Sequence, residues 1–93
     1  MISPLFELGA VVATPGALEA CGEANVSPST LVARHATGDW GDVPACDARE
    51  NELSLKRGFR LLSSYPLGGG GQKVWIVTEA DRSSTCLLLP SAY

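Results

Sequence analysis

Two apolar runs near the C-terminal end constrain this chain most. Val74-Trp75-Ile76-Val77 and Cys86-Leu87-Leu88-Leu89 consist largely of β-branched and bulky residues, which suit a pleated and buried surface. Glu79, Asp81 and Arg82 crowd three charges between them, followed by Ser83, Ser84 and Thr85. Residues 74–90 are therefore expected to be two neighbouring strands joined by a short polar turn. With 93 residues there is room for one domain spanning 1–93. Such a chain buries roughly 60–65% of the surface that it exposes unfolded, enough for one modest core.

Upstream, Phe59–Tyr65 reads as a strand, the four glycines 68–71 as a hairpin tip and Gln72–Thr78 as the returning strand, with Thr85–Leu89 last. Leu5–Ala13 reads as a first strand, with Gly9 a bulge or a point of close backbone approach. Thr14-Pro15 and Ser27-Pro28 each place a hydroxyl before a proline, the pattern of a helix start. The first helix, Pro15–Ala20 or slightly longer, is expected to bury Leu18 and to end at Gly22. The second, Pro28–Ala36, carries Leu31, Val32 and His35 on one face and ends at Gly38. A third helix is expected with Asp47 as an acidic cap and Glu50 three residues on. Its narrow apolar stripe would be Cys46, Leu53 and Leu55, and it would close at Lys56, Arg57 and Gly58. The expected fold class is α+β: three short helices packed on one face of a small antiparallel sheet, the N-terminal strand at an edge, in the order β-α-α-α-β-β-β.

The formal net charge of −3 opposes a broad phosphate-binding surface and is too small for a mimic of DNA. Cys21, Cys46 and Cys86 form no CxxC pair, and His35 is the single histidine, so a zinc site would lack its usual ligands. No metal and no cofactor is expected. Odd, widely spaced cysteines point to reduced, mostly buried thiols in a cytoplasmic protein. The opening MISPLFELGAVVATPG has no basic stretch and no long apolar span, so neither export nor a membrane partner is expected.

The glycine run 68–71 is not a P-loop, because Gln72-Lys73 leads into a strand instead of a helix. Trp40 in Gly38-Asp39-Trp40-Gly41-Asp42 has two readings: a plug at the core edge, or an aromatic contact offered to a partner. Glu79-Ala80-Asp81-Arg82-Ser83 is either a self-bonded turn or a polar binding site, completed by Arg60 or by the 38–42 loop. His35, Asp39 and Ser83 could be drawn as a base, its orienter and a nucleophile, but no GxSxG pattern supports them. A carboxylate pair of Asp39 or Asp42 with Glu79 has no more support. An enzyme is therefore not expected.

Gly38–Asp42, Glu50-Asn51-Glu52, Gly58–Tyr65 and Thr78–Tyr93 together resemble a family of small uncharacterised bacterial proteins carried on plasmids, phages and integrated elements. The resemblance runs from Ala13-Thr14-Pro15-Gly16 to Tyr93. Members often carry the label "type I restriction endonuclease subunit M". That label implies a methyl-donor fold and an [N/D]PP[Y/F] loop, and this chain has no such loop. The resemblance implies a mobile-element setting. From it follows the expectation of a non-enzymatic protein that binds a host macromolecule, in its sharpest form an anti-CRISPR-like counter-defence inhibitor docking on a host nuclease complex. Asp39, Trp40, Asp42, Glu79, Asp81 and Arg82 would form the contact surface for that protein partner. The alternative is a nucleic-acid-binding accessory factor, in which Lys56, Arg57, Arg60, Lys73 and Arg82 converge on one patch. A small hydrolase or transferase using His35 with the carboxylates is the third and weakest expectation.

Overall fold

The computed structural model describes residues 4–68 and 71–93. The order of elements is the expected one: β1 (Ala10–Ala13), α1 (Pro15–Glu23), α2 (Pro28–Ala36), α3 (Ala45–Arg57), β2 (Leu61–Pro66), β3 (Lys73–Thr78) and β4 (Ser84–Leu88), followed by a 3-10 turn at Pro90–Ala92. The last three strands form the antiparallel meander. β1 adds to it at the edge, parallel to β4, so the four-stranded sheet is mixed with the order β1-β4-β3-β2. The class is α+β.

Register decides which side chains enter the core. Tyr65 pairs with Val74, Ser63 with Ile76 and Leu61 with Thr78, while Leu87 and Thr85 continue the last two rows on β4. All eight side chains are buried. Alternation puts them on one sheet face, where α1 and α2 add Ala17, Ala20, Cys21 and Leu31 to the cluster around Tyr65, Val74, Ile76 and Leu87. The small residues of α1 let it lie close to the sheet. This is why Leu18, the expected buried residue, is half exposed while Ala17, Ala20 and Cys21 are covered. Gly22 lies inside α1; the chain turns two residues beyond the helix at Asn25, which takes φ 59°. Asparagine tolerates that left-handed conformation better than most residues.

α3 does not share the helical layer of α1 and α2. It lies along the outer edge of β2, where Asn51 donates from Nδ2 to the Leu62 carbonyl (2.7 Å) and accepts from the Leu62 N–H (3.1 Å). A side-chain amide thus completes an otherwise open strand edge. The buried residues of α3 are Asn51 and Ser54, while Cys46 and Leu53 face outward. The expected stripe of Cys46, Leu53 and Leu55 is therefore not its packing face. The helix also begins earlier than expected, after Pro44, so Asp47 sits in its first turn and makes no capping bond. Gly58 terminates it with φ 78°, as expected. One further edge contact needs a glycine: at Gly41, φ 76°, a β-carbon would lie 2.2 Å from the Ser64 carbonyl oxygen. That close approach lets Ser64 N–H bond the Trp40 carbonyl and Asp42 N–H bond the Ser64 carbonyl.

The thiols divide between settings. Cys21 is buried, Cys86 is partly covered and Cys46 is exposed, so only one of the three meets the expectation of burial. The hairpin tip expected at 68–71 includes Gly69 and Gly70, which lie outside the described residues. The hairpin is closed by the Leu67 N–H on the Gln72 carbonyl. Among the described residues no helix is long and apolar enough to cross a membrane.

Candidate docking surface

The loop residues expected to face a partner are mostly spent on the fold itself. Trp40 is only 6% exposed. Its ring stacks on Phe6 and meets His35 edge-on, and its Nε1–H donates to Glu52 of α3 at 2.9 Å. The plug reading of Trp40 is therefore the one realised, because the indole fills the gap between α2, α3 and the N-terminal segment. Asp39 is gripped by Arg34 through two bonds, 2.6 and 3.3 Å, which hold its carboxyl below the usual carboxylate range. Arg34 in turn lies over the Tyr65 ring, whose hydroxyl donates to the Asp39 carbonyl. Burial pushes that hydroxyl up to about 12.

The second polar loop is likewise self-contained. Asp81 accepts the Ser83 N–H, and the Ser83 bonds hold its carboxyl low. Arg82 stands at φ 60° and its guanidinium donates to the carbonyls of Phe59, Glu79, Ala80 and Ser54 at 2.7 to 3.2 Å. It ties the 79–82 turn to the C-terminal end of α3 and also lies over Phe6. Glu79 pairs with Arg60, and Asp42 with Lys73. Lys73 begins β3, and Glu79 follows its last residue. Six steps at about 3.4 Å put Lys73, the partner of Asp42, and Glu79 roughly 20 Å apart along the chain. Asp42 and Glu79 thus reach opposite ends of β3, while Trp40 and Arg82 turn inward onto Phe6, so the two loops do not make one outward contact surface.

Of the basic residues expected to converge, only Lys73 stands apart; Lys56, Arg57, Arg60 and Arg82 gather around the C-terminal end of α3 and the 79–82 turn, where the last two are spent on the fold. Arg60 precedes β2 at one end of the ladder and is held by Glu79 and by the Tyr93 hydroxyl. Lys73 lies at the other end, while Arg82 is occupied by carbonyls. Lys56 and Arg57 remain in the last turn of α3, where cations complement the helix dipole.

One polar cluster was not foreseen from sequence. His35 is fully buried, with Nδ1 2.5 Å from Ser63 Oγ and Nε2 2.9 Å from Thr78 Oγ1. Thr78 is 2.8 Å from Thr85 Oγ1, which donates to the Leu8 carbonyl at 2.7 Å. A carbonyl only accepts, and each hydroxyl carries one proton, so donation runs one way along the chain. Thr85 donates to Leu8, Thr78 to Thr85, His35 Nε2–H to Thr78, and Ser63 to His35 Nδ1. The imidazole is thereby assigned as the neutral Nε2–H tautomer, and burial pushes its pKa down to about 4. Ser63 and His35 form a hydroxyl–imidazole pair, but both are sealed at 0% exposure, and no described groove reaches them. The set sketched from sequence is not assembled: His35 bonds Ser63 and Thr78, Asp39 bonds Arg34, and Ser83 belongs to the Asp81 turn.

The surface left open is the outer edge of β1. Ala10 N–H and Thr14 N–H donate to the Ser83 and Leu87 carbonyls of the β4 segment. In a parallel ladder alternate residues face the neighbouring strand, so the N–H and C=O groups of Val11 and Ala13 point away from the sheet. No described backbone group bonds them. Val11 and Val12 are 49% and 51% exposed. A groove of about 280 Å³ runs between this edge and α2, lined by Val11, Val12, Pro28, Val32 and Leu87, with no charged side chain in its wall. Next to it, a shallower groove follows residues 4–9 to Val11 and carries Glu7 as its charged residue. An open edge with neither a charge nor a proline within Ala10–Ala13 lacks the usual guards against strand pairing. Comparison with family models, with curated proteins and with solved structures finds no match to this chain.

Proposed function

We propose that this chain is a small non-enzymatic protein that acts by binding another protein, with the β1 edge as its docking surface. The observation carrying the proposal is the pair of outward N–H and C=O groups at Val11 and Ala13 beside an uncharged apolar groove. Main-chain groups of this kind give affinity to an added strand, and the adjoining groove selects its side chains. The polar loops rigidify the scaffold instead of contacting the partner. The resemblance to mobile-element proteins favours a host macromolecule in the cytoplasm as the target, with counter-defence inhibition as the sharpest form. A nucleic-acid partner is less favoured, because Arg60, Lys73 and Arg82 are held by carboxylates and carbonyls.

The test is quantitative capture from a bacterial host lysate with the wild type, Val11→Pro and Asp81→Ala. Proline at 11 removes an outward N–H but no β1–β4 bond, a position that an edge strand tolerates. The expected result is a partner kept by the wild type and Asp81→Ala and lost by Val11→Pro. A partner kept equally by all three would overturn the edge as the contact, and capture of none would overturn the binding role.

A further inference from the structure

We infer that, while no host strand is bound, the occupant of the β1 edge is a second copy of this chain, its β1 pairing antiparallel with the first about a two-fold axis through Val12. The inference rests on the docking edge proposed above and names what fills it. An uncharged, apolar groove calls for an uncharged, apolar strand, and Ala10-Val11-Val12-Ala13 is itself such a strand. The opposite edge of the sheet is closed by Asn51 and by the Gly41–Ser64 bridge, so among the described residues β1 offers the open edge for strand pairing.

Register follows from the chain itself. Centred on Val12, Val11 faces the partner copy's position 13 and Ala13 its position 11, both as hydrogen-bonded pairs, giving four N–H to carbonyl bonds. Large then stands opposite small on the helical face, and the two Val12 side chains meet on the other. Sliding the centre to Val11 would bring in Gly9, whose φ of 64° is not extended. Sliding it to Ala13 would bring in Pro15, which has no N–H. A single register therefore satisfies all four outward groups. The edge is short, and two chains of like net charge repel, so the dimer is weak and concentration-dependent.

The test uses sedimentation equilibrium with reductant present, because Cys46 is exposed and could link chains covalently. Val12→Lys places two ammonium groups against each other across the axis, and Val12→Glu two carboxylates. At half exposure neither change should unfold the chain, which circular dichroism checks. The expected result is a wild type whose average mass rises towards twice the monomer with concentration. Each variant alone should stay monomeric, and an equimolar mixture of the two should dimerise at least tenfold more tightly than either. The mixture reports the Val12–Val12 register and not merely a lost contact. A wild type monomeric at millimolar concentration, or variants that dimerise like the wild type, would overturn the second copy as occupant. If that monomeric wild type still loses a lysate partner on Val11→Pro, the docking edge stands and its occupant is a different chain.

Discussion

Lowering the pH from 7.5 to 4.5 should remove about 2.5 kcal/mol from the stability of this fold, nearly all of it through His35. In the neutral imidazole Nε2–H is donated to Thr78 and Nδ1 receives the Ser63 hydroxyl. A second proton on Nδ1 would put a charge into a site of 0% exposure, which burial disfavours. Its pKa is accordingly about 4 in the folded chain, against 6.5 for a free imidazole. The unfolded chain binds more protons between those values, so the stability is fully present above about 6.5 and is lost as pH falls towards about 4. At 1.36 kcal/mol per pH unit, the whole gap is worth about 3 kcal/mol, against roughly 5–15 kcal/mol for a domain in total. Urea unfolding reads this directly, with the midpoint falling by roughly 1 to 2 M across the range. His35→Gln has no proton to bind and should show a much flatter profile. Asp39 and Asp81, both held low, titrate below this window. Equal midpoints for the wild type at pH 7.5 and 4.5 would refute the assignment, as would an imidazole that titrates near 6.5 by NMR in the folded protein.

Two further substitutions separate scaffold from surface. Asn51→Ala leaves both the Leu62 N–H and its carbonyl without a partner at the β2 edge, and should cost about 2–3 kcal/mol in denaturant unfolding. Asn51→Asp sets a carboxylate oxygen against the Leu62 carbonyl in a buried site and should cost at least as much as the alanine change. Trp40→Ala empties the site between Phe6 and His35 and should cost about 3–5 kcal/mol, visible as a lowered melting temperature. Trp40→Phe, which loses only the bond to Glu52 and some volume, should be milder.

Much of the architecture is legible in the residues themselves, because it depends on local rules. The proline-led helix starts, the glycine at 58 and the alternating apolar runs each act within a few positions, and the element order follows from them. Local rules fail where a long-range partner changes the meaning of a residue. Leu18 reads as buried by its character, yet the face that α1 turns to the core is made of Ala17, Ala20 and Cys21. Cys46 and Leu53 read as an apolar face, yet α3 packs on a strand edge whose need is hydrogen bonds, so Asn51 turns inward instead. Ser63, Thr78 and Thr85 read as ordinary strand formers. A signal was available in His35 on the apolar face of α2, since a buried imidazole requires two polar partners.

The candidate surface shows the same division. By itself the sequence determined that a strand lies within Leu5–Ala13 and that charged turns flank the later strands; the structure confines it to Ala10–Ala13, where there is neither charge nor proline. Only the tertiary structure decided that β1 takes a parallel place beside β4 with no described backbone group on its outer edge, and that the charged turns are bonded inward. The physical reason is that a backbone group's partner lies across the sheet, 73 residues away for the Ala10 N–H and the Ser83 carbonyl. Which N–H groups stay unpaired is fixed only when the last strand has docked.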